Sequence, residues 1–99
     1  MEFEFKSRDL GRLYFESGHG GGFPPEGVRA FRRRMQAIRA AEDERDLWAI
    51  RGNRFERLKG ARSHEYSMRL NDQWRLILQI RTASPKNVVV IVAIVDYHR

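Results

Sequence analysis

Two arginines flank a polar tripeptide in the segment EYSMRLNDQWRLILQI: Arg69 and Arg75, on either side of Asn71, Asp72 and Gln73. Around them Tyr66, Met68 and Leu70, then Trp74, Leu76 and Leu78, alternate with other residues at the period of two expected of half-buried strands. If both apolar sets face one core, Leu70 pairs with Trp74 across a three-residue loop, and Arg69 lies directly opposite Arg75 on the other face. Like charges in that position are destabilising. Either an acidic neighbour such as Glu65 or Glu56 compensates, or the pair awaits an anion such as a phosphate, which arginine holds through two parallel N–H donors.

A second group of polar side chains closes the chain. The stretch VVVIVAIVDYHR is apolar from Val88 to Val95 and then changes to Asp96, Tyr97, His98 and Arg99. A membrane-spanning helix needs roughly 20 apolar residues, so this run is not an anchor. Apolar on both faces, it is expected as an interior strand covered by helix on one side. Alternation puts Asp96 and His98 on one face and Tyr97 on the other. One site for all three therefore requires the strand to end or twist near Asp96, releasing the tail toward Arg75.

The elements that must position these groups follow from local patterns. Met1, Phe3 and Phe5 alternate with Glu2, Glu4 and Lys6, giving a first short strand. Ser7 can cap a helix through Leu10, Leu13 and Tyr14, which runs into the glycine loop Gly18 to Gly22. That loop lacks the strand-to-helix context of a phosphate cradle and reads as a connector with His19 solvated. Pro24 and Pro25 start a longer helix with Val28, Phe31, Met35 and Ile38 on its buried face. Its other side carries Arg29, Arg32, Arg33, Arg34 and Arg39 as a solvated basic face.

An acidic cluster, Glu42, Asp43, Glu44 and Asp46, then leads into a short helix whose Leu47 and Trp48 pack back on the core. After Gly52 strands are expected around Phe55 to Lys59, Tyr66 to Leu70, Trp74 to Ile80 and Val88 to Tyr97. The expected class is α+β, with N-terminal helices packed on one face of a mostly antiparallel, twisted sheet.

With 99 residues, 41% of them hydrophobic, the chain fits a single domain spanning 1–99. It has no cysteine, hence no disulfide framework or thiolate metal site, which suits a reducing cytoplasm. The start MEFEFKSRDL does not read as a signal peptide. Nineteen Lys and Arg against thirteen Asp and Glu give a net charge of +6 and a pI near 10.5. The expected partners are therefore polyanions, nucleic acid or an acidic protein.

In this order, FEFKSRDLGRLYFESG, PPEGVRAFRRRMQAI, RLKGARSHEYSMRLNDQWRL and the terminal VDYH resemble the HigB-type toxins of bacterial toxin–antitoxin modules, within the RelE superfamily. The resemblance covers nearly the whole chain. It implies a RelE-like fold and a small basic ribonuclease that enters the ribosomal decoding site and cuts messenger RNA there, without metal or cofactor. It also implies a cognate helix-turn-helix antitoxin of HigA type, with the ribosome and messenger RNA as further partners and no membrane. By motif, the active-site positions fall on Lys59 of LKG, Arg75 of QWR, and Asp96, Tyr97 and His98 of DYH. Arg69 is a looser match, and Glu56 stands where some members have histidine.

Cleavage of RNA without a metal uses the ribose 2′-hydroxyl as nucleophile on the adjacent phosphate, and needs a base, an acid and cations for the developing charge. In that scheme His98 protonates the leaving 5′-oxygen. Arg75, with Lys59 and Arg69, holds the phosphate. Asp96 orients a neighbour, and Tyr97 stacks on a base or positions the phosphate. The base is Glu56 or Lys59. Arg33, Arg51, Arg54, Arg57 and Arg62 would add sequence-independent phosphate contacts, the alternative for them being a plain solvated face.

Trp74 is expected in the core, and His64 in an exposed turn or against ribosomal RNA. Two rivals fit the same charge: a non-enzymatic inhibitor that blocks the ribosome by occupancy, and a superfamily relative directed at DNA gyrase. Lys59, Arg75 and DYH together disfavour both.

Overall fold

The computed structural model describes residues 1–96; Tyr97, His98 and Arg99 lie outside the described residues. Strand β1 (Phe3–Phe5) leads into helix α1 (Arg8–Phe15). As expected, Ser7 caps α1, its hydroxyl accepting from the Leu10 N–H at 3.2 Å. Helix α2 (Pro25–Ala40) starts with Pro25 as its first helical residue and buries Val28, Phe31, Met35 and Ile38. Asp43 caps the short α3 (Glu44–Ala49) through the Arg45 N–H. Leu47 is fully buried, but Trp48 is half-exposed, lying edge-on against Phe55 rather than joining the core. His19 is half-buried rather than solvated.

The rest of the chain supplies β2 (Glu56–Arg57), β3 (Tyr66–Arg69), β4 (Trp74–Arg81) and β5 (Val88–Asp96), with 3-10 turns at Arg51–Asn53 and Gly60–Arg62. The sheet order is β1-β5-β4-β3-β2. Among the described residues only the β1–β5 pair is parallel, and β5 is the interior strand its two apolar faces require. Leu13, Phe31, Met35, Ile38 and Leu47 from the helices meet Met68, Leu76, Leu78, Val89 and Ile91 from the sheet in one core. Among the described residues no helix is long and apolar enough to cross a membrane.

The hairpin has the expected odd loop. Met68 pairs with Leu76 and Arg69 with Arg75, and the Leu70 N–H donates to the Trp74 carbonyl at 2.9 Å. The loop is shaped by Asn71, whose side-chain oxygen accepts from the Gln73 N–H at 2.9 Å and the Trp74 N–H at 2.8 Å. Asn71→Ala removes the oxygen that accepts both bonds and should cost about 1–2 kcal/mol, read as a lower urea midpoint at unchanged slope.

Three further features depart from the sequence pattern. The strand expected from Phe55 to Lys59 shortens to Glu56–Arg57, because Gly60, at φ 68, turns the chain directly after Lys59. In β5 the ladder skips Val92: Ile77 pairs with Ala93 and Leu78 with Ile91, so a β-bulge brings Val89, Ile91 and Ile94 to the helix-facing side. Finally, the basic side of α2 is not simply solvated. Arg32 donates to the Leu13 carbonyl at 3.0 Å and the Glu16 carbonyl at 2.8 Å, closing carbonyls at the end of α1.

Candidate functional site

Arg69 and Arg75 lie on the sheet face away from the helices, together with Ser67, because these three alternate with Met68, Leu76 and the other core residues. Arg75 is the fixed member of the group. It is only 6% exposed. Its Nε donates to Ser67 Oγ, and its Nη2 donates to the Arg54 carbonyl at 2.8 Å. The Glu56 carboxylate sits 3.7 Å from the same Nη2. Strand β3, the turn at Arg54 and β2 thus converge on one guanidinium.

The turn is unusual in its backbone. Arg54 has φ 43 and ψ 49, the one non-glycine residue with positive φ among the described residues. That left-handed conformation costs a non-glycine residue on the order of 1–2 kcal/mol. It ends the 3-10 turn Arg51–Asn53 where the Arg54 carbonyl meets Arg75.

The repulsion between the facing arginines is offset by two separate carboxylates. Glu56 serves Arg75, and Asp72, from the hairpin loop, pairs with Arg69. Glu65 is engaged elsewhere: its bond from Arg62, at 2.7 Å, holds its carboxyl below the ordinary glutamate range. Arg54, Arg69, Asn71, Asp72 and Arg75 line a cleft of about 160 Å³. A larger cleft, about 570 Å³, lies between the start of α3 and the β4–β5 loop. Glu42, Asp43 and Glu44 line it together with Arg45 and Lys86, which pair with Asp43 and Glu42, so neither cation faces it unneutralised and the cleft is a poor host for an anion.

Lys59 is exposed on the loop after β2, at the start of the turn Gly60–Arg62. That loop is closed from within. Arg57 Nε donates to the Ser63 carbonyl at 2.5 Å, the Leu58 N–H reaches the Glu65 carbonyl at 2.9 Å, and Arg62 pairs with Glu65. Arg57 and Arg62 therefore shape the segment that presents Lys59 while remaining exposed themselves. Arg33, Arg51, Arg54 and His64 are exposed as well.

Asp96 pairs across the sheet with Trp74, whereas Arg75 pairs with Val95. Asp96 therefore leaves the sheet on the Trp74 side, opposite to Arg75. Gln73 Nε2 donates to Asp96 Oδ2 at 3.4 Å. The structure thus brings Arg75, Arg69 and Glu56 together and places Asp96 at the same end of the sheet on its other face. Tyr97 and His98 fall outside the described residues.

Four contributors were absent from the sequence-based set: Ser67, the Arg54 carbonyl, Asp72 and Arg34. Strand parity could have found Ser67, two positions before Arg69. The loop position of Asp72, three after Arg69, was also available. Nothing in a helical pattern announces the Arg54 carbonyl or Arg34, which reaches from α2 to the Arg69 carbonyl at 2.8 Å and the Gly52 carbonyl at 3.1 Å.

Comparison with known proteins finds relatives of this chain. The model of a family described as the RelE-like toxin of type II toxin-antitoxin system HigB matches residues 3–98. Toxin HigB-1 of Vibrio cholerae serotype O1 is 37% identical over 79 residues, 80% of this chain and 83% of that protein. A YoeB/ParE toxin from Agrobacterium tumefaciens superposes with a TM-score of 0.65, covering 99% of this chain and 100% of its own. At 12% identity, that last likeness speaks for the fold alone.

Proposed function

This chain belongs to the RelE-like HigB toxins of type II toxin–antitoxin systems, and from that membership we propose that it stops translation by cutting messenger RNA on the ribosome. A toxin of such a system has an antitoxin partner. The proposed one is a helix-turn-helix protein of HigA type, with toxin, antitoxin and ribosome meeting in the cytoplasm.

The observation that supports the nuclease reading is Arg75: a nearly buried guanidinium fixed by Ser67 and Arg54, with a carboxylate beside it and a second arginine opposite. A scissile phosphate entering this cleft would meet Arg75 and Arg69 as paired cations, Arg69 exchanging Asp72 for the phosphate oxygen. Fixed donors of this kind stabilise charge that develops in the transition state. Lys59 would add a third cation from its loop.

Glu56, 3.7 Å from Arg75, is the group we assign to take the proton from the ribose 2′-hydroxyl. The 2′-oxygen forms a bond to phosphorus, the bond from phosphorus to the 5′-oxygen breaks, and His98 gives that oxygen a proton. The products are a 2′,3′-cyclic phosphate and a free 5′-hydroxyl. In this scheme Tyr97 stacks on a base, and Asp96 orients a neighbouring group. Arg33, Arg51, Arg54, Arg57 and Arg62 supply backbone contacts that weaken steeply with salt.

Inducing the protein and mapping RNA 5′ ends tests this directly. Expected are new 5′-hydroxyl ends inside translated messages; arrested translation with intact messages would overturn the nuclease reading in favour of occupancy alone. Glu56→Gln should slow single-turnover cleavage on programmed ribosomes about 10²-fold. RNA affinity should hold or rise, because a negative charge beside Arg75 is lost.

A further inference from the structure

We infer that Arg34 is a positioning residue that holds the two walls of the cationic cleft in register. It projects from α2 and is half-buried. Its Nε donates to the Arg69 carbonyl at 2.8 Å and its Nη2 to the Gly52 carbonyl at 3.1 Å. The first carbonyl belongs to the residue whose side chain forms one side of the cleft. The second lies two residues before Arg54, whose own carbonyl fixes Arg75. One planar fork therefore ties the end of β3 to the turn that holds the buried cation.

The placement runs against simple electrostatics, which is why it points to a role. Burial, and then the charges of Arg33 and Arg69, lower the Arg34 pKa from its ordinary value. A cation there is retained at a cost that its two carbonyl bonds offset. Lysine at this position keeps the charge but not the fork, since its ammonium is a point charge on a flexible stem. A position that serves only to attract RNA accepts lysine; one that aligns two segments does not.

The reaction affected rests on the nuclease reading above, so the experiment has one arm free of it. In isotope-labelled free protein, Arg34→Lys and Arg34→Gln should each shift or broaden the Arg75 Nε–H resonance, while Arg33→Gln, which removes a neighbouring charge, leaves it in place. In single-turnover cleavage on ribosomes, Arg34→Lys should lower the rate on the order of 10–100-fold, the effect of misplacing a reacting group by about 1 Å. Its RNA affinity at fixed salt should stay near wild type.

An unchanged Arg75 resonance in Arg34→Lys, or full-rate cleavage by it, would overturn the assignment and leave Arg34 as a general cation. Should Arg34→Gln unfold, Arg34→Lys, which retains one carbonyl bond, carries the measurement. Wild-type protein that cuts no RNA would overturn the nuclease reading, while the resonance arm still decides the role of Arg34.

Discussion

Replacing Arg75 with alanine is expected to slow cleavage of ribosome-bound messenger by about 10²–10³-fold, the usual consequence of removing one preorganised donor from a developing charge. The size follows from how little Arg75 has to move. Its guanidinium is held by Ser67 and Arg54 before any RNA arrives. Alanine also strands the Ser67 hydroxyl and the Arg54 carbonyl, which should cost about 1–3 kcal/mol of stability. That leaves a folded protein, verifiable by circular dichroism at the assay temperature. Lysine should not rescue the rate, because an ammonium cannot reproduce the donor fork that meets Ser67 and Arg54. Cutting at the wild-type rate by Arg75→Ala would remove this residue from the chemistry.

The second large effect is on the fold and should leave the chemistry alone. Phe31 is fully buried on α2, with the Phe5 ring 6.5 Å away. Truncation to alanine should cost about 3–5 kcal/mol, a large share of the stability of a small domain, about 5–15 kcal/mol. Urea unfolding followed by fluorescence measures the loss. Cleavage per folded molecule should match wild type, because no atom of the cleft is touched. Together the two variants separate a site defect from a folding defect, which a growth assay alone confuses.

The hairpin was legible in the sequence for a specific reason. Tyr66, Met68 and Leu70, with Trp74, Leu76 and Leu78, leave one register that buries both sets, and that register forces Arg69 against Arg75. Glu56 as a compensating acid was legible from the same charge balance. The Val92 bulge was not, because in a run of valines and isoleucines no polar residue marks which one is extra. The roles of Arg32 and Arg34 were hidden too. A helical pattern shows which face is apolar, but not which distant carbonyl a long side chain will find. Lys59 and the terminal Asp96, Tyr97 and His98 were identified by family resemblance rather than by periodicity, and of these the structure describes Lys59 and Asp96.

Although Arg69 and Arg75 face each other, they give up their freedom at different moments. Ordering a long arginine side chain costs roughly 1.5–2 kcal/mol of rotamer entropy. For Arg75, anchored to a hydroxyl and a main-chain carbonyl on one buried spot, that loss is incurred once, as the chain folds. Arg69 instead rests on Asp72, whose side chain is almost wholly in solvent. Its partner is therefore exchangeable, and the loss recurs with each anion bound. The cleft thus combines one cation whose geometry precedes the ligand with one that adapts to it, and only the second should become more mobile when Asp72 is removed.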